Sequence, residues 1–478
     1  MKCTAIVATV VLCFLFCPLC CAEETVASLL AGYLKNDLSL KTLSADVQKQ
    51  LLSQQMVQIS NGFSFQISSG TISIRTGENA SAAFTPSASL SLPQAGNLTF
   101  SVSSDVSVDG DDSNKSWTNT SLSASVDLYS GAMKKRKVAL MKAERTVLEA
   151  KRSLQNGYLS AEKNFYSSLK SLYSVAAEIA SEKKTLYDDT ITFEEIKAAG
   201  YQTTAPKYRT ANMKVVSDWH TIEIKQRNLE RETKIFASKC GAVYDGNDAL
   251  AFLPSQVPEV PAVDVLSFSR EQYSGVESAL WTQRINTLSR EADVPVTISA
   301  NTGYTFNNTR TDSDTIDGGL SVKVHDSGLA VHSGLSVPVT GDEHEPSFTM
   351  GFSLSPNQFR TAAVSNKQNA VEEELEKLSV ISAQEKYDTA IISQQTALED
   401  LEWAKKSNKE MYDLYADQER ELSAYYKNGY ITLSEYMSAK VNMENYRIKL
   451  LVNSIDFILY NAETSMLFCR DGELHDER

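Results

Sequence analysis

The sequence predicts an α+β chain made of two internal repeats, each joining a block of alternating strands to one very long helix. Three observations predict it: a duplicated order of segments, strands with a period of two, and two long stretches without proline. Residues 23–250 and 267–470 run through the same order, an amphipathic helix, strands, a long helix, a Gly-Tyr turn and a shorter returning helix. The turns "AAGYQTTAPKYRTA" (198–211) and "KNGYITLSEYMSAK" (427–440) superpose after a one-residue gap. A duplicated unit of this size implies pseudo-symmetry, and strands combined with giant helices imply a barrel built from repeats.

Ahead of the first repeat, Lys2 precedes an apolar run over 5–17, then Pro18 and the small-residue site Cys20-Cys21-Ala22. This pattern predicts a secretory signal over 1–22 and an exported mature chain. Lipidation at Cys20 or Cys21 is the alternative, although Pro18 and Leu19 fit a lipobox poorly. With the signal removed, Cys240 and Cys469 remain of the seven cysteines. No other stretch has the length and apolarity of a membrane helix, so any crossing of a bilayer falls to strands.

The strand blocks are expected over 62–129 and 294–356. Leu98, Phe100, Val102, Val106 and Val108 alternate with Thr99, Ser101, Ser103, Asp105, Ser107 and Asp109, with Ser104 the one polar residue on the apolar side. Leu122, Ala124, Val126 and Leu128 repeat the pattern against Ser121, Ser123, Ser125 and Asp127; Val296, Ile298 and Ala300, then Phe348, Met350, Phe352 and Leu354, do so in the second repeat. A period of two with one polar side is a half-buried strand. Both a transmembrane barrel, apolar side to lipid, and a soluble β-sandwich satisfy it. Aromatics near strand ends, Phe63, Phe65, Tyr304, Phe306 and Phe348, favour the membrane.

The long helices are expected over 132–199 and 357–427, where proline is absent and Gly157 is the sole internal glycine before the turns. Each would reach roughly 100 Å at about 1.5 Å per residue. Val371, Leu375, Leu378 and Ile381, then Tyr387, Ile391, Leu398 and Leu401, keep a heptad phase. Ser, Ala, Gln, Glu and Lys fill the rest, giving a narrow apolar seam and a broad wet face. Returning helices follow over 204–240 and 432–468, and a tail over 471–478. Between the repeats, Pro254, Pro258 and Pro261 make 251–266 a stiff extended linker.

Lys and Arg number 46 against 60 Asp and Glu, a net charge of -14, which excludes nucleic acid as the main partner. HExxH, Walker and GxGxxG patterns are missing, the mature chain has no CxxC, and the five histidines are scattered, so neither an enzyme, a cofactor nor a metal centre is expected. His325 and His332 share a strand pair and read as ordinary exposed histidines. The run Lys134-Lys135-Arg136-Lys137 opens a long helix, where cations oppose the dipole; lipid phosphates and plain solvation are alternative partners.

The stretches "LSASVDLYSGAMKKRKVALMKAE", "FTMGFSLSPNQFRTAAVSNKQNAVEEE" and "YKNGYITLSEYMSAKVNMENYRIKLLVNSIDFILYNAETSML", in duplicated order behind a secretory signal, resemble the TolC-type outer-membrane efflux protein family over essentially the whole mature chain. The resemblance implies a homotrimer whose strands close one barrel in outer-membrane lipid and whose helices continue it as a periplasmic tunnel. It implies a passive channel working with a periplasmic adaptor protein and an inner-membrane transporter, expelling small molecules or peptides. A surface-exposed structural or adhesive protein, and an uptake porin without a pump, stand as other readings.

By the same resemblance, Gly200, Tyr201, Thr203, Gly429, Tyr430 and Thr432 form the adaptor-docking tips. Glycine supplies a left-handed turn there, and Thr203, Thr204 and Thr432 are expected to cap the returning helices. Glu435 falls where the family carries an acidic residue at the pore constriction. Ser438 and Ile431 stand where it carries a second aspartate and a latching arginine, two departures that put its usual gating in doubt. Cys240 and Cys469 hold nearly equivalent places, as a disulfide or as two separate thiols. The sequence also adds an alternating pair to each repeat, 82–92 with 97–109 and 317–325 with 328–339, beyond the family's two strands. These pairs are expected to form an extracellular elaboration rather than to widen the barrel.

Overall fold

The computed structural model describes residues 25–76, 81–109, 115–246, 248–307, 313–340 and 345–469. The expected signal over 1–22, the lipidation sites Cys20 and Cys21 and the tail over 471–478 lie outside these residues. The chain forms two compact units, one from Ser44–Ser153 and Tyr273–Tyr387, the other from Leu154–Gln272, the described residues from Asp388 onward and the segment ending at Leu43.

In chain order, α1 (Val26–Asn36) and α2 (Leu38–Ser60) lead into β1 (Ser64–Ser68), β2 (Ser73–Arg75), β3 (Ser81–Phe84), β4 (Ser87–Leu92), β5 (Leu98–Asp109) and β6 (Lys115–Tyr129). Helices α3 (Ala132–Ala198), α4 (Pro206–Cys240) and the short α5 (Ala249–Phe252) complete the first half. The second half has α6 (Ser274–Ala292), β7 (Val296–Asn307), β8 (Thr315–Val324), β9 (Leu329–Pro338), β10 (Ser347–Leu354), α7 (Pro356–Lys427) and α8 (Leu433–Leu467). Helices α3 and α7 hold 67 and 72 residues.

The first unit is built on one antiparallel sheet in the order β1-β4-β5-β6-β7-β8-β9-β10, with β2 and β3 continuing the lanes of β1 and β4. Residues directly opposite one another share a face. One cross-strand row reads Phe65, Leu90, Phe100, Ala124, Thr302, Gly318, Leu335 and Phe348, and the next Ile67, Ala88, Val102, Leu122, Tyr304, Ile316 and Val337. The opposite face carries Gln66, Ser89, Ser101, Ser123, Gly303, Asp317, Ser336 and Ser347 in one row. Most of the apolar face is not packed: Ile67 is 73% exposed, Phe348 67% and Phe352 80%, whereas Val106 of β5 is buried. Ser104, the polar exception on that face, bonds the Thr120 hydroxyl across the ladder at 2.8 Å. A bulge at Leu128 shifts the register so that Tyr129 comes opposite Ile298 just before α3 begins.

The added strand pairs are not an elaboration outside the sheet, and that expectation is corrected. β4 and β5 lie between β1 and β6, and β8 and β9 between β7 and β10, each paired along its length. Their turns sit at the helix-bearing end: Asp127 N–H donates to Gly96 O at 2.7 Å, just before α3, and Ser355 N–H to Gly328 O at 3.1 Å, just before α7. The backbone ladder decides this, because strands inserted in sequence can reach their partners only by taking places in the sheet.

The basic run at the start of α3 also finds its reason. Lys134 Nζ donates to Glu291 O at 3.3 Å, Lys135 pairs with Asp293 at 2.7 Å, and Arg136 donates to Asn61 O. Glu291 and Asn61 stand at the C-terminal ends of α6 and α2, whose last carbonyls carry the negative end of the dipole. The cations unfavourable to their own helix thus serve two others.

Below this junction, Glu277 of α6 is buried against α3. Arg145 donates to both its carboxylate oxygens, Arg152 to Oε2 at 2.9 Å, and the Arg145 guanidinium lies 5.1 Å from the Trp281 ring centre. Burial alone would raise the Glu277 pKa, but the hydrogen bonds and charges of the two arginines outweigh it and hold the carboxyl below the usual glutamate value.

In the second unit the core lies where α1, α3, α4 and α8 meet, around Phe165, Leu169, Ile179, Leu229 and Ile455. Phe165 packs edge-on to Tyr33 and Tyr166 at 5.6 and 5.1 Å. Gly157 leaves room for Leu43, whose methyl would lie 2.4 Å from an added Cβ. The proline linker is fixed to α8 by Asn461, which accepts from Val263 N–H and donates to Pro261 O, both at 2.8 Å.

Replacing Glu277 by Gln takes the counter-charge from Arg152 and leaves the buried Arg145 with Glu149 alone, and is expected to cost on the order of 3 kcal/mol, read from denaturant unfolding. Because the folded pKa is depressed, the wild-type contribution is present above the unfolded value and lost as pH falls through the folded one. The Gln variant should lack that acid-side decline.

Candidate functional site

The polar sheet face is a wall of hydroxyls. Ser101 and Ser123 bond across β5 and β6 at 2.6 Å, and Ser103 and Ser121 at 2.8 Å. Charges there are few: Arg75, Asp105, Asp127, Asp317 and Lys323. Asp105 accepts from Thr85 at 2.9 Å and Asp127 from Asn97 at 2.8 Å. His325 bonds Thr297 at 2.8 Å.

In the other unit, the two helical hairpins end in matching turns. Gly200 has φ +79° and Gly429 φ +75°, the left-handed conformation that glycine adopts without strain. Tyr201 N–H donates to Ile196 O at 3.4 Å and Tyr430 N–H to Tyr425 O at 2.9 Å, so both residues close the same type of helix end. Tyr201 and Tyr430 remain exposed, the latter at 76%.

The caps differ between the turns. Thr432 caps α8: its hydroxyl accepts from Glu435 N–H at 3.3 Å, while the Glu435 carboxylate accepts from Thr432 N–H at 2.7 Å and from its hydroxyl at 2.9 Å. Thr203 and Thr204 do not cap α4, contrary to expectation. Pro206 takes the first helical position and Ala205 the cap without a side-chain bond. Proline has no N–H to offer, so the demand for a capping oxygen is smaller there.

Glu435 therefore serves first as the reciprocal member of a capping box. Ser438, one turn further along α8, donates to Asp188 of α3 at 2.8 Å, and the other Asp188 oxygen accepts from Lys184 at 2.8 Å. Tyr436 donates to Glu419 of α7 at 2.7 Å and stacks on Tyr426, ring centres 5.3 Å apart. The returning helix is thus tied to both long helices within two turns of its start. Sequence reasoning missed Asp188, Glu419 and Tyr426, because their partners lie far away in the chain and no spacing marks them.

Cys240 and Cys469 are not joined. Cys240 is buried in the core at the end of α4, while Cys469 lies past the end of α8, its N–H donating to Gln272 O at 2.7 Å.

Sheet strands pass into a long helix, a glycine turn and a returning helix, and this order of elements is given twice. The TP096X N-terminal domain matches residues 29–257 and the TP096X C-terminal domain residues 258–471, and the chain belongs to this family. The two matches meet inside the proline linker. No curated protein matches the chain. Among solved structures, it is similar to the CmeC outer membrane channel of Campylobacter jejuni at 15% identity, covering 94% of this chain and 87% of that one with a TM-score of 0.44. It is also similar to the open state of the MtrE outer membrane channel of Neisseria gonorrhoeae, at 13% identity over 92% and 89% with a TM-score of 0.45. A third is the outer membrane protein VceC of Vibrio cholerae, at 11% identity over 92% and 95% with a TM-score of 0.43.

Thr432→Ala removes a cap and is expected to weaken the first turn of α8 by about 1 kcal/mol. Amide exchange at 433–436 should speed up several-fold, whereas Thr203→Ala should leave the first turn of α4 unchanged.

Proposed function

We propose that this protein is an outer-membrane channel, the passive exit conduit of an export system in which an inner-membrane transporter and a periplasmic adaptor drive small molecules or peptides outward. The observation that carries this reading is the sheet: one layer thick, apolar on one face with that face uncovered, hydroxylated on the other, and continuous with helices of 67 and 72 residues. An apolar face needs lipid or a core, and among the described residues none of the strands contributes to the clusters that form cores here. Three copies would close the barrel and the helical tunnel, with the exposed Tyr201 and Tyr430 turns as the adaptor-docking tips.

The conduit is closed where α8 leaves its turn. Ser438 with Asp188, and Tyr436 with Glu419, hold α8 to α3 and α7; opening requires these bonds to be exchanged for water as the helices part. Glu435 supplies the acidic ring at the constriction, three carboxylates in a trimer. Asp413 and Asp417, on α7, are weaker candidates because Lys409 and Arg420 already pair with them at 2.8 and 3.0 Å.

Three experiments test this. In bilayer recordings, Glu435→Gln should reduce cation preference and block by multivalent cations while leaving the trimer intact, since Gln preserves the capping box; unchanged selectivity would remove Glu435 from the pore. On the sheet, Leu122→Lys should cost about 2–4 kcal/mol of membrane assembly and Ser123→Lys far less, read as the yield of folded protein in outer-membrane fractions. Equal losses would mean that the apolar face does not meet lipid. Recovery of an adaptor on co-purification separates export from an uptake porin.

A further inference from the structure

We propose that each copy places eight strand lanes in the barrel wall, so that three copies close a barrel of twenty-four strands through pairing of the β1 edge of one copy with the β10 edge of the next. The inference rests on the trimeric channel reading and adds to it the interface and the width.

Four observations on the sheet carry it. First, the added lanes β4-β5 and β8-β9 are inside the ladder, and their turns lie at the helix-bearing end, as short turns between wall strands would. Second, among the described residues β1 and β10 are the outer strands of the order, each with a neighbour on one side. A strand edge in lipid must find partners for its N–H and C=O groups, so both edges need an occupant.

Third, the eight lanes alternate in direction, which leaves β1 and β10 antiparallel to each other. Rotation about an axis along the sheet's strands therefore brings the β10 edge of one copy against the β1 edge of the next in an antiparallel pair. Fourth, the faces agree. Phe65 and Ile67 of β1 and Phe348, Met350 and Phe352 of β10 stand on the same apolar face, so the joint continues both faces without a break. Pairing β1 with β1 through a two-fold axis would also satisfy the edge. It would, however, turn one copy's helices to the opposite side of the membrane, because α2, α3, α6 and α7 all join the sheet at one end.

The consequence is width. At a spacing of about 4.8 Å and a tilt of about 45°, twenty-four strands close at a backbone diameter of about 50 Å, against about 25 Å for twelve. The serine face would line a lumen too wide to sieve small solutes.

Single-particle imaging of the purified trimer in detergent counts the strands directly. A wall of twenty-four is expected. A trimer with twelve wall strands and the β4-β5 and β8-β9 hairpins outside it overturns this inference and leaves the channel reading standing. A stable monomer overturns both.

Disulfide trapping supplies a second measurement. Full-length variants carrying one cysteine from Ser64, Gln66 or Ser68 and one from Ser347, Thr349 or Ser353, with Cys240 and Cys469 replaced by Ser, are oxidised in membranes. At least one pair should give covalent dimers and trimers. Cross-links confined to single chains would mean that β1 and β10 close on each other within one copy, and would overturn the proposal.

Discussion

A sheet one layer thick with an apolar face has no stable place in water, and most of this chain's construction follows from that constraint. Sandwich proteins cover such a face with a second sheet, and α/β proteins cover it with helices. Here the helices leave the sheet at one end instead of packing on it, and Phe65, Ile67, Phe348 and Phe352 stand uncovered. In the proposed channel that face meets lipid, and the backbone ladder supplies the internal hydrogen bonding that lipid denies. The strand-to-helix junctions then need fastening without a core beneath them. That work falls to polar groups: the Lys134–Arg136 run on the ends of α2 and α6, and the Arg145–Glu277–Arg152 cluster more than two turns further along α3.

The helical unit solves a different problem. Helices of this length with a narrow apolar seam bury little per turn, so the core is concentrated around Phe165, Leu169 and Ile455. The remainder is held by discrete polar ties such as Lys170 with Asp456 at 2.6 Å and Asn408 with Asn453 at 2.7 Å. Such ties are individually weak when exposed. In the proposed channel a bundle fastened this way would part at its end, around Ser438 and Asp188, while the region near Phe165 stays closed.

What the sequence made legible follows from what its signals measure. Alternation at Leu98–Asp109 reads which side of a strand is apolar, and it did so correctly down to Ser104, the exception that finds a hydroxyl across the ladder. The absence of proline reads helix continuity, and the long helices were visible on that ground. Neither signal says which strand lies beside which, and so the added hairpins read as an extracellular elaboration, whereas their backbone partners give them places within the sheet. The basic run at Lys134 looked unfavourable because sequence shows a residue's own helix and not the two others that end beside it. At the turns, the Thr-x-x-Glu spacing of 432–435 was a readable cap, whereas Ala205-Pro206 overrode the nearby threonines. Ser438 looked like a lost aspartate; the carboxylate it meets belongs to the other half of the chain.

The serine rows of the polar face carry one more consequence. A hydroxyl both donates and accepts, rotates freely, and holds water about as well as water holds itself. A surface covered in such groups gives neither anions nor cations a resting place, and it presents little that a solute could adhere to on its way past. In the proposed channel the strands would therefore act as a non-stick lining, indifferent to what goes through, and the same neutrality would leave the wall tolerant of change in its cargo.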